Sequence, residues 1–318
     1  MNIYIIGGEL VNPGDLSWDC FSKYGNVVNL DHIEKKDLAK AIKDADVLIG
    51  APDDHFGEED MKYAKNLKYI GLLSTGYNNI DLEYCKKRGI VVSNNPNYGA
   101  QMVSQYAISL LMELCCHISK MNEMVHQRKW KDRAQYVLKY PEIELCDKTM
   151  GVIGFGNIGR KTGRMGQALG MKVLYNDIRE VEEENNENCR FASLDEIFSL
   201  SDVIVLHCPL LPETVHIINE NTISKMKDGV LLINNARGPL VDEKALAAAL
   251  KSGKIGGAGL DVTNVEPIED DNPLLECENC IITPHFSWLA KETRIRIINN
   301  CYASLEAFLR GEPINRLV

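Results

Sequence analysis

Short apolar runs alternate along this chain with stretches in which apolar residues recur at three- and four-residue spacing. The runs Ile3–Ile6, Asn26–Leu30, Val47–Gly50, Tyr69–Leu73 and Ile90–Ser93 predict β-strands before residue 95. Those at Met150–Ile153, Lys172–Tyr175, Val203–Leu206, Val230–Asn234, Gly257–Asp261 and Ile281–Thr283 predict a second set after residue 149. Strands that are apolar throughout and separated by helices belong to parallel sheets covered on both faces. The pattern therefore describes two α/β units in series.

Helix signals fall between the strands. Ser193-Leu194-Asp195-Glu196 has the form of a capping box, opening a helix that ends before Asp202. Asp242 stands as N-cap to Lys244–Lys251, which stops at Gly253. A long helix is expected from Gln101 to Ser119, with Met102, Val103, Tyr106, Leu110, Leu111, Leu114 and Ile118 on a core-facing side. The less regular stretch Gln127–Leu145, with Trp130, Tyr136 and Tyr140, is expected to pack as an arm on a second subunit. A final helix over Lys291–Arg310 is expected to return to the first unit, and the acidic run Glu180–Asn188 to be a solvated loop.

The length, 318 residues, suits two domains of about 150 residues each. Hydrophobic residues at 45 % and charged residues at 25 % are ordinary for a globular protein. No apolar run approaches the roughly 18 residues of a membrane span, and Met1–Gly8 is expected to open on a strand rather than a leader. A net charge of -10 weighs against nucleic acid as partner. The ten cysteines lack a framework spacing, which fits free thiols in a reducing cytoplasm. The Cys277-x-x-Cys280 pair has no second pair nearby, so no metal is expected.

Chemistry enters with Gly154-Phe155-Gly156-Asn157-Ile158-Gly159, placed between a predicted strand and a predicted helix. That context is the one a dinucleotide pyrophosphate needs. Gly154 makes the tight turn, Gly156 lets the backbone approach the phosphates, and Gly159 lets helix and strand pack closely. The free N–H groups of the helix start then face the phosphates. Asp177 closes the next strand, where a carboxylate binds ribose hydroxyls and repels a 2′-phosphate, so NAD is expected over NADP.

Ligands of open parallel sheets lie beyond the carboxyl ends of the strands. Past three of those ends stand Arg237, Glu266 and His285. Arg offers a fork of donors for the carboxylate and carbonyl oxygen of a 2-keto acid. Protonated His can quench the charge left when hydride reaches C2. A neighbouring Glu would orient the ring and favour the imidazolium.

At these residues the sequence resembles the D-isomer-specific 2-hydroxyacid dehydrogenase family along nearly its whole length. Leu73–Asp81 is similar to the family's substrate-domain loop, Val152–Arg160 to its NAD fingerprint, and His207-Cys208-Pro209-Leu210 with Pro212-Glu213-Thr214 to the segment beside adenosine and phosphates. Asn234–Pro239, Gly259–Val262 with Glu266-Pro267, and Thr283-Pro284-His285 complete the resemblance. It implies a flavodoxin-like substrate domain (residues 1–98 plus 288–318) and a Rossmann NAD-binding domain (99–287), both doubly wound, with the active cleft between them and a homodimer built through the NAD domain. Arg237, Glu266 and His285 would be catalytic. Ser74, Thr75, Gly76, Arg237 and His285 would hold the substrate. Gly154, Gly156, Asn157, Ile158, Gly159, Asp177, His207, Cys208, Pro209, Thr214, Ala236, Arg237, Asp261 and His285 would face the cofactor, with Asp261 on the nicotinamide carboxamide.

Within the family, Thr75–Asn78, Pro141–Leu145 and His285–Trp288 look most like the glycerate dehydrogenase, or hydroxypyruvate reductase, branch. Ser74 and Phe286-Ser287 depart from the common pattern and bear on the substrate pocket. No appended regulatory domain is expected after Val318. Glu266 argues against a formate dehydrogenase, which carries glutamine there. Two alternatives stay open: a D-lactate or branched-chain 2-hydroxyacid dehydrogenase, and a dinucleotide-sensing corepressor that binds NADH without turnover.

Overall fold

The computed structural model describes residues 1–52 and 55–318. The chain forms two compact units, Met1–Gly99 with Trp288–Val318, and Ala100–Ser287.

The first unit contains β1 (Asn2–Ile6), β2 (Asn26–Leu30), β3 (Val47–Ile49), β4 (Tyr69–Gly71) and β5 (Val91–Ser93). They pair in parallel in the order β2-β1-β3-β4-β5, which is the flavodoxin-like order. Helices α1 (Lys35–Ala41), α2 (Glu58–Met61) and α3 (Leu82–Arg88) connect them. Alternation along the strands divides the core: Ile3, Ile5, Val47 and Ile49 face one buried cluster, Ile6, Leu48 and Ile70 the other.

The second unit opens with α4 (Ala100–Cys116), α5 (Ile118–His126) and α6 (Arg133–Lys139). Its strands are β6 (Thr149–Ile153), β7 (Lys172–Asn176), β8 (Cys189–Phe191), β9 (Val203–Leu206), β10 (Val230–Asn234), β11 (Ile255–Leu260) and β12 (Cys280–Ile282). They form one parallel sheet in the order β12-β11-β10-β9-β6-β7-β8, the doubly wound arrangement of a Rossmann domain. Helices α7 (Asn157–Ala168), α8 (Leu194–Leu200), α9 (Glu220–Lys225) and α10 (Glu243–Ser252) cover it. Strand β9 shows why the runs are apolar throughout: Val203 and Val205 enter one cluster, Ile204 and Leu206 the opposite one. The last helix, α11 (Lys291–Leu309), belongs to the first unit.

The expected caps are present. Ser193 and Glu196 exchange the two capping-box bonds, and the Asp242 carboxylate accepts from Lys244 and Ala245 amides. Gly253 ends α10 at φ 79°.

Three expectations need correction. The helix expected over Gln101–Ser119 breaks at His117, which takes the left-handed φ of 48° and starts α5 on a new course. Leu110, Leu111 and Leu114 are buried, but Ile118, past the break, is 61 % exposed. Strand β8 was not expected; three residues with an arginine in the middle carry too little apolar signal. The acidic run is more than a solvated loop. It holds a short 3-10 turn at Glu182–Glu184, and Arg164 Nε on α7 donates to Glu184 Oε2 at 3.1 Å. No helix among the described residues is long and apolar enough to cross a membrane.

Candidate active site

The glycine loop sits between β6 and α7, beside the central strand β9 of the seven-stranded sheet. Gly154 turns at φ 91°, and a Cβ there would lie 2.3 Å from the Cys208 amide nitrogen. A Cβ on Gly159 would lie 2.1 Å from the Gly154 carbonyl oxygen. Gly156, the N-cap of α7, faces open space, and Gly156 and Asn157 are exposed with Ile158 half-buried. A helix start with an uncovered backbone is what a pyrophosphate requires.

Asp177 stands just past β7, half-buried. Its Oδ2 accepts the Phe155 N–H at 2.5 Å and its Oδ1 the Ile178 N–H at 2.7 Å. The His207–Cys208 segment, just past β9, backs the loop through the Gly154 contact. The His207 Nε2 pairs with Thr162 Oγ1 of α7 at 2.8 Å, while its buried Nδ1 has no partner among the described residues. Burial pulls the His207 pKa down to about 3, so the ring is neutral. Thr214 Oγ1 donates to the Pro209 carbonyl at 2.7 Å and accepts the Leu211 N–H at 2.8 Å, closing the exposed turn that carries Pro209.

The three candidate catalytic groups sit past β10, β11 and β12, which are neighbours in the sheet. His285 Nδ1 lies 2.8 Å from Glu266 Oε2, and Glu266 Oε1 accepts the Thr263 N–H at 3.2 Å. Burial would raise the Glu266 carboxyl, but the His285 hydrogen bond and charge, the Thr263 amide and the Arg237 guanidinium together hold it below its ordinary value. The group is therefore a carboxylate. Because a carboxylate only accepts, Nδ1 carries a proton and Nε2 is the nitrogen free for exchange.

Arg237 is exposed and in extended backbone (φ −147°, ψ 137°), with Nη1 donating to the Ala236 carbonyl at 2.6 Å. Its turn is framed by Asn234, whose Oδ1 accepts the Ala236 N–H and whose Nδ2 donates to the Arg237 carbonyl. Gly238 then passes so close to the loop after β11 that a Cβ would lie 1.9 Å from the Thr263 oxygen.

Asp261, expected at the nicotinamide, is fully buried. Its Oδ1 accepts from Thr283 Oγ1 at 2.6 Å and Phe286 N–H at 2.9 Å, and its Oδ2 from Ser287 N–H at 2.8 Å. These donors bracket His285, which is held at the left-handed φ of 58°. Asp261 thus holds the His285 turn. Asn234 and Thr283 enter the sequence reading only as parts of motifs, and Thr162 is not singled out there, because their partners lie on other elements or in a turn with no periodic signal. No group of three or more His, Cys, Asp or Glu side chains among the described residues is placed to hold a metal.

In the first unit, Ser74 and Thr75 are exposed and Gly76 half-buried in the loop after β4. Ser74 Oγ donates to the Gly76 carbonyl at 2.7 Å, and Thr75 Oγ1 to the Asn95 carbonyl at 2.8 Å.

Comparison with known proteins agrees with this geometry. The NAD binding domain of D-isomer specific 2-hydroxyacid dehydrogenases matches residues 108–287. A hydroxypyruvate reductase of Blautia hydrogenotrophica is 46 % identical over 319 residues, 99 % of each chain. A glycerate dehydrogenase of Methylorubrum extorquens is 36 % identical over 81 % of each chain. The apo-structure of D-lactate dehydrogenase from Escherichia coli superimposes with a TM-score of 0.89 at 28 % identity, covering 100 % of both chains. With a glycine loop that fits a dinucleotide and an imidazole–carboxylate pair on the same sheet, this chain belongs to the NAD-dependent D-isomer-specific 2-hydroxyacid dehydrogenases.

Proposed function

We propose that the enzyme reduces hydroxypyruvate to D-glycerate, and glyoxylate to glycolate, with His285 as proton donor. The His285–Glu266 pair, 2.8 Å apart, carries this reading. NADH, when bound, supplies the hydride. Glu266, held anionic, keeps the Nδ1 proton in place and orients the ring. Nε2 then passes its proton to the oxygen at C2 as charge develops there, leaving a neutral imidazole that is reprotonated from solvent. Arg237 grips the carboxylate and the carbonyl oxygen through its planar fork. In the reverse direction neutral His285 takes the hydroxyl proton.

The unit Ala100–Ser287 serves as the cofactor domain. Gly154, Gly156, Asn157, Ile158 and Gly159 hold the pyrophosphate, Asp177 the ribose, and His207, Cys208, Pro209, Thr214 and Ala236 line the cofactor's path. The unit Met1–Gly99 with Trp288–Val318 serves as the substrate domain. Ser74, Thr75 and Gly76 bind the substrate carboxylate, an assignment resting on the resemblance of Leu73–Asp81 to the family loop. The ten free thiols suit the cytoplasm. The exposed apolar side chains Ile118, Trp130, Val137 and Leu138 on one stretch of chain suit a homodimer, Leu138 being 89 % exposed.

The test is kcat/KM with hydroxypyruvate, glyoxylate, pyruvate and 2-ketoisocaproate, each with NADH and NADPH. Preference for hydroxypyruvate or glyoxylate is expected. Preference for pyruvate would overturn the substrate assignment, and tight NADH binding without turnover on any keto acid would overturn the catalytic one.

A further inference from the structure

Asn95 lies in the segment between β5 and α4 and is 1 % exposed, yet it takes no part in the chemistry above. Its main chain and its side chain serve different masters. The main chain grips the loop after β4: its N–H donates to the Ser74 carbonyl at 2.9 Å and its carbonyl accepts from Thr75 Oγ1 at 2.8 Å. The side chain grips α11: Nδ2 donates to the Ile297 carbonyl at 2.9 Å and to Cys301 Sγ at 3.3 Å, and Oδ1 accepts from Asn300 Nδ2 at 3.0 Å. A buried amide whose donors and acceptor are all met is fixed in one orientation. Two further bonds reinforce the junction. Asn94 Nδ2 donates to the Thr75 carbonyl at 2.9 Å, and Cys301 Sγ to the Leu72 carbonyl at 3.1 Å.

The far end of the loop is fastened separately, by the Phe56 N–H to the Asn79 carbonyl and by Asn79 Nδ2 to the Pro52 carbonyl, both at 2.6 Å. Ser74 and Thr75 are exposed, and the Ser74 hydroxyl is turned onto the loop's own Gly76 carbonyl. We propose that Asn95 is a positioning residue for substrate binding, fixing the Ser74–Gly76 turn against α11 so that its backbone amides stand ready for a carboxylate. This rests on the assignment of that turn to the substrate. Preorganised donors bind without a further ordering cost, so a loosened loop weakens the keto acid while leaving the cofactor's own contacts alone.

The test is Asn95→Leu, which keeps the volume and removes the side-chain bonds, with Asn300→Ala as a milder second variant should the first fail to fold. Hydrogen exchange of residues 72–79, keto-acid KM, kcat at saturation and NADH affinity are measured on the full-length enzyme. Faster exchange is expected in this segment, with keto-acid KM up about tenfold for Asn95→Leu and a smaller rise for Asn300→Ala. Both kcat and NADH affinity stay near wild type. Exchange unchanged in a folded variant overturns the positioning role. A KM rise matched by an equal loss of NADH affinity overturns it as well, since that marks general destabilisation. Faster exchange with unchanged KM instead upholds Asn95 as the loop's anchor and overturns the assignment of the loop to the substrate.

Discussion

The Asp177 carboxylate accepts the Phe155 amide at 2.5 Å, so the acid at the end of β7 also fastens the middle of the glycine loop. Removing it does two things at once. It deletes the charge proposed to disfavour a 2′-phosphate, and it frees an amide inside the glycine loop. A hydrogen bond to a charged group contributes about 1.5–3 kcal/mol. Asp177→Ala is therefore expected to raise the NADH KM at least about tenfold. The preference for NAD relaxes through loss on the NADH side rather than gain on the NADPH side. Comparing kcat/KM for both cofactors checks this; NADPH activity rising to the wild-type NADH level would show that the loop does not depend on Asp177.

His285→Asn removes the exchangeable proton but keeps a polar side chain of similar reach. Turnover should fall by about 10²–10⁴, the usual span for loss of a general acid. NADH affinity, read by fluorescence titration, should stay within about twofold. Glu266→Gln should act in the same direction to a lesser degree, because the amide oxygen still bonds Nδ1 but without the charge that makes the bond strong. If His285→Asn leaves kcat unchanged, the proton comes from elsewhere.

Arg237→Ala should lower kcat/KM for the keto acid by about 10²–10³, affecting both KM and kcat, since the guanidinium is asked to hold the carboxylate and the reacting oxygen together. Arg237→Lys should restore little, because one ammonium cannot make two parallel bonds. Steady-state kinetics on both variants decide it, and a normal KM in Arg237→Ala would refute the carboxylate role.

Much of this was legible in the sequence because the relevant signals are local. Val203–Leu206 is apolar at every position because alternate residues enter clusters on opposite faces of one sheet. The glycine loop is legible because its turn, close approach and open face each need glycine within one short motif. Arg237, Glu266 and His285 are legible as candidates only jointly, because they follow three strands that are neighbours in one sheet and match the family's motifs there. What escaped was set by distant partners or by single residues. The Asn95–Asn300 bond joins positions 205 residues apart. The break at His117 hangs on one left-handed residue inside an otherwise helical pattern. Asp261 was placed by resemblance alone, which carried no sign that the Thr283 hydroxyl and the Phe286 and Ser287 amides take up its carboxylate.

His207 yields a pH-dependent prediction whose sign is set by its burial. The folded ring has a pKa of about 3, lowered from 6.5 by loss of water, with Thr162 as its one hydrogen-bond partner among the described residues. Once the chain unfolds, the imidazole regains its ordinary affinity for protons. From pH 6.5 down toward 3 the unfolded chain thus binds a proton that the folded one refuses, and stability declines as pH falls through that window. Above 6.5 both states are neutral and the group adds no slope. His207→Gln keeps a side chain able to bond Thr162 and removes the titration. Its melting temperature is therefore expected to depend less on pH than that of the wild type between about pH 7 and 5, above the range where most carboxylates titrate. Thermal unfolding at several pH values in that interval provides the measurement. Parallel curves for the two proteins would mean that His207 takes up its proton in the folded state, and the neutral clamp between β9 and α7 would have to be abandoned.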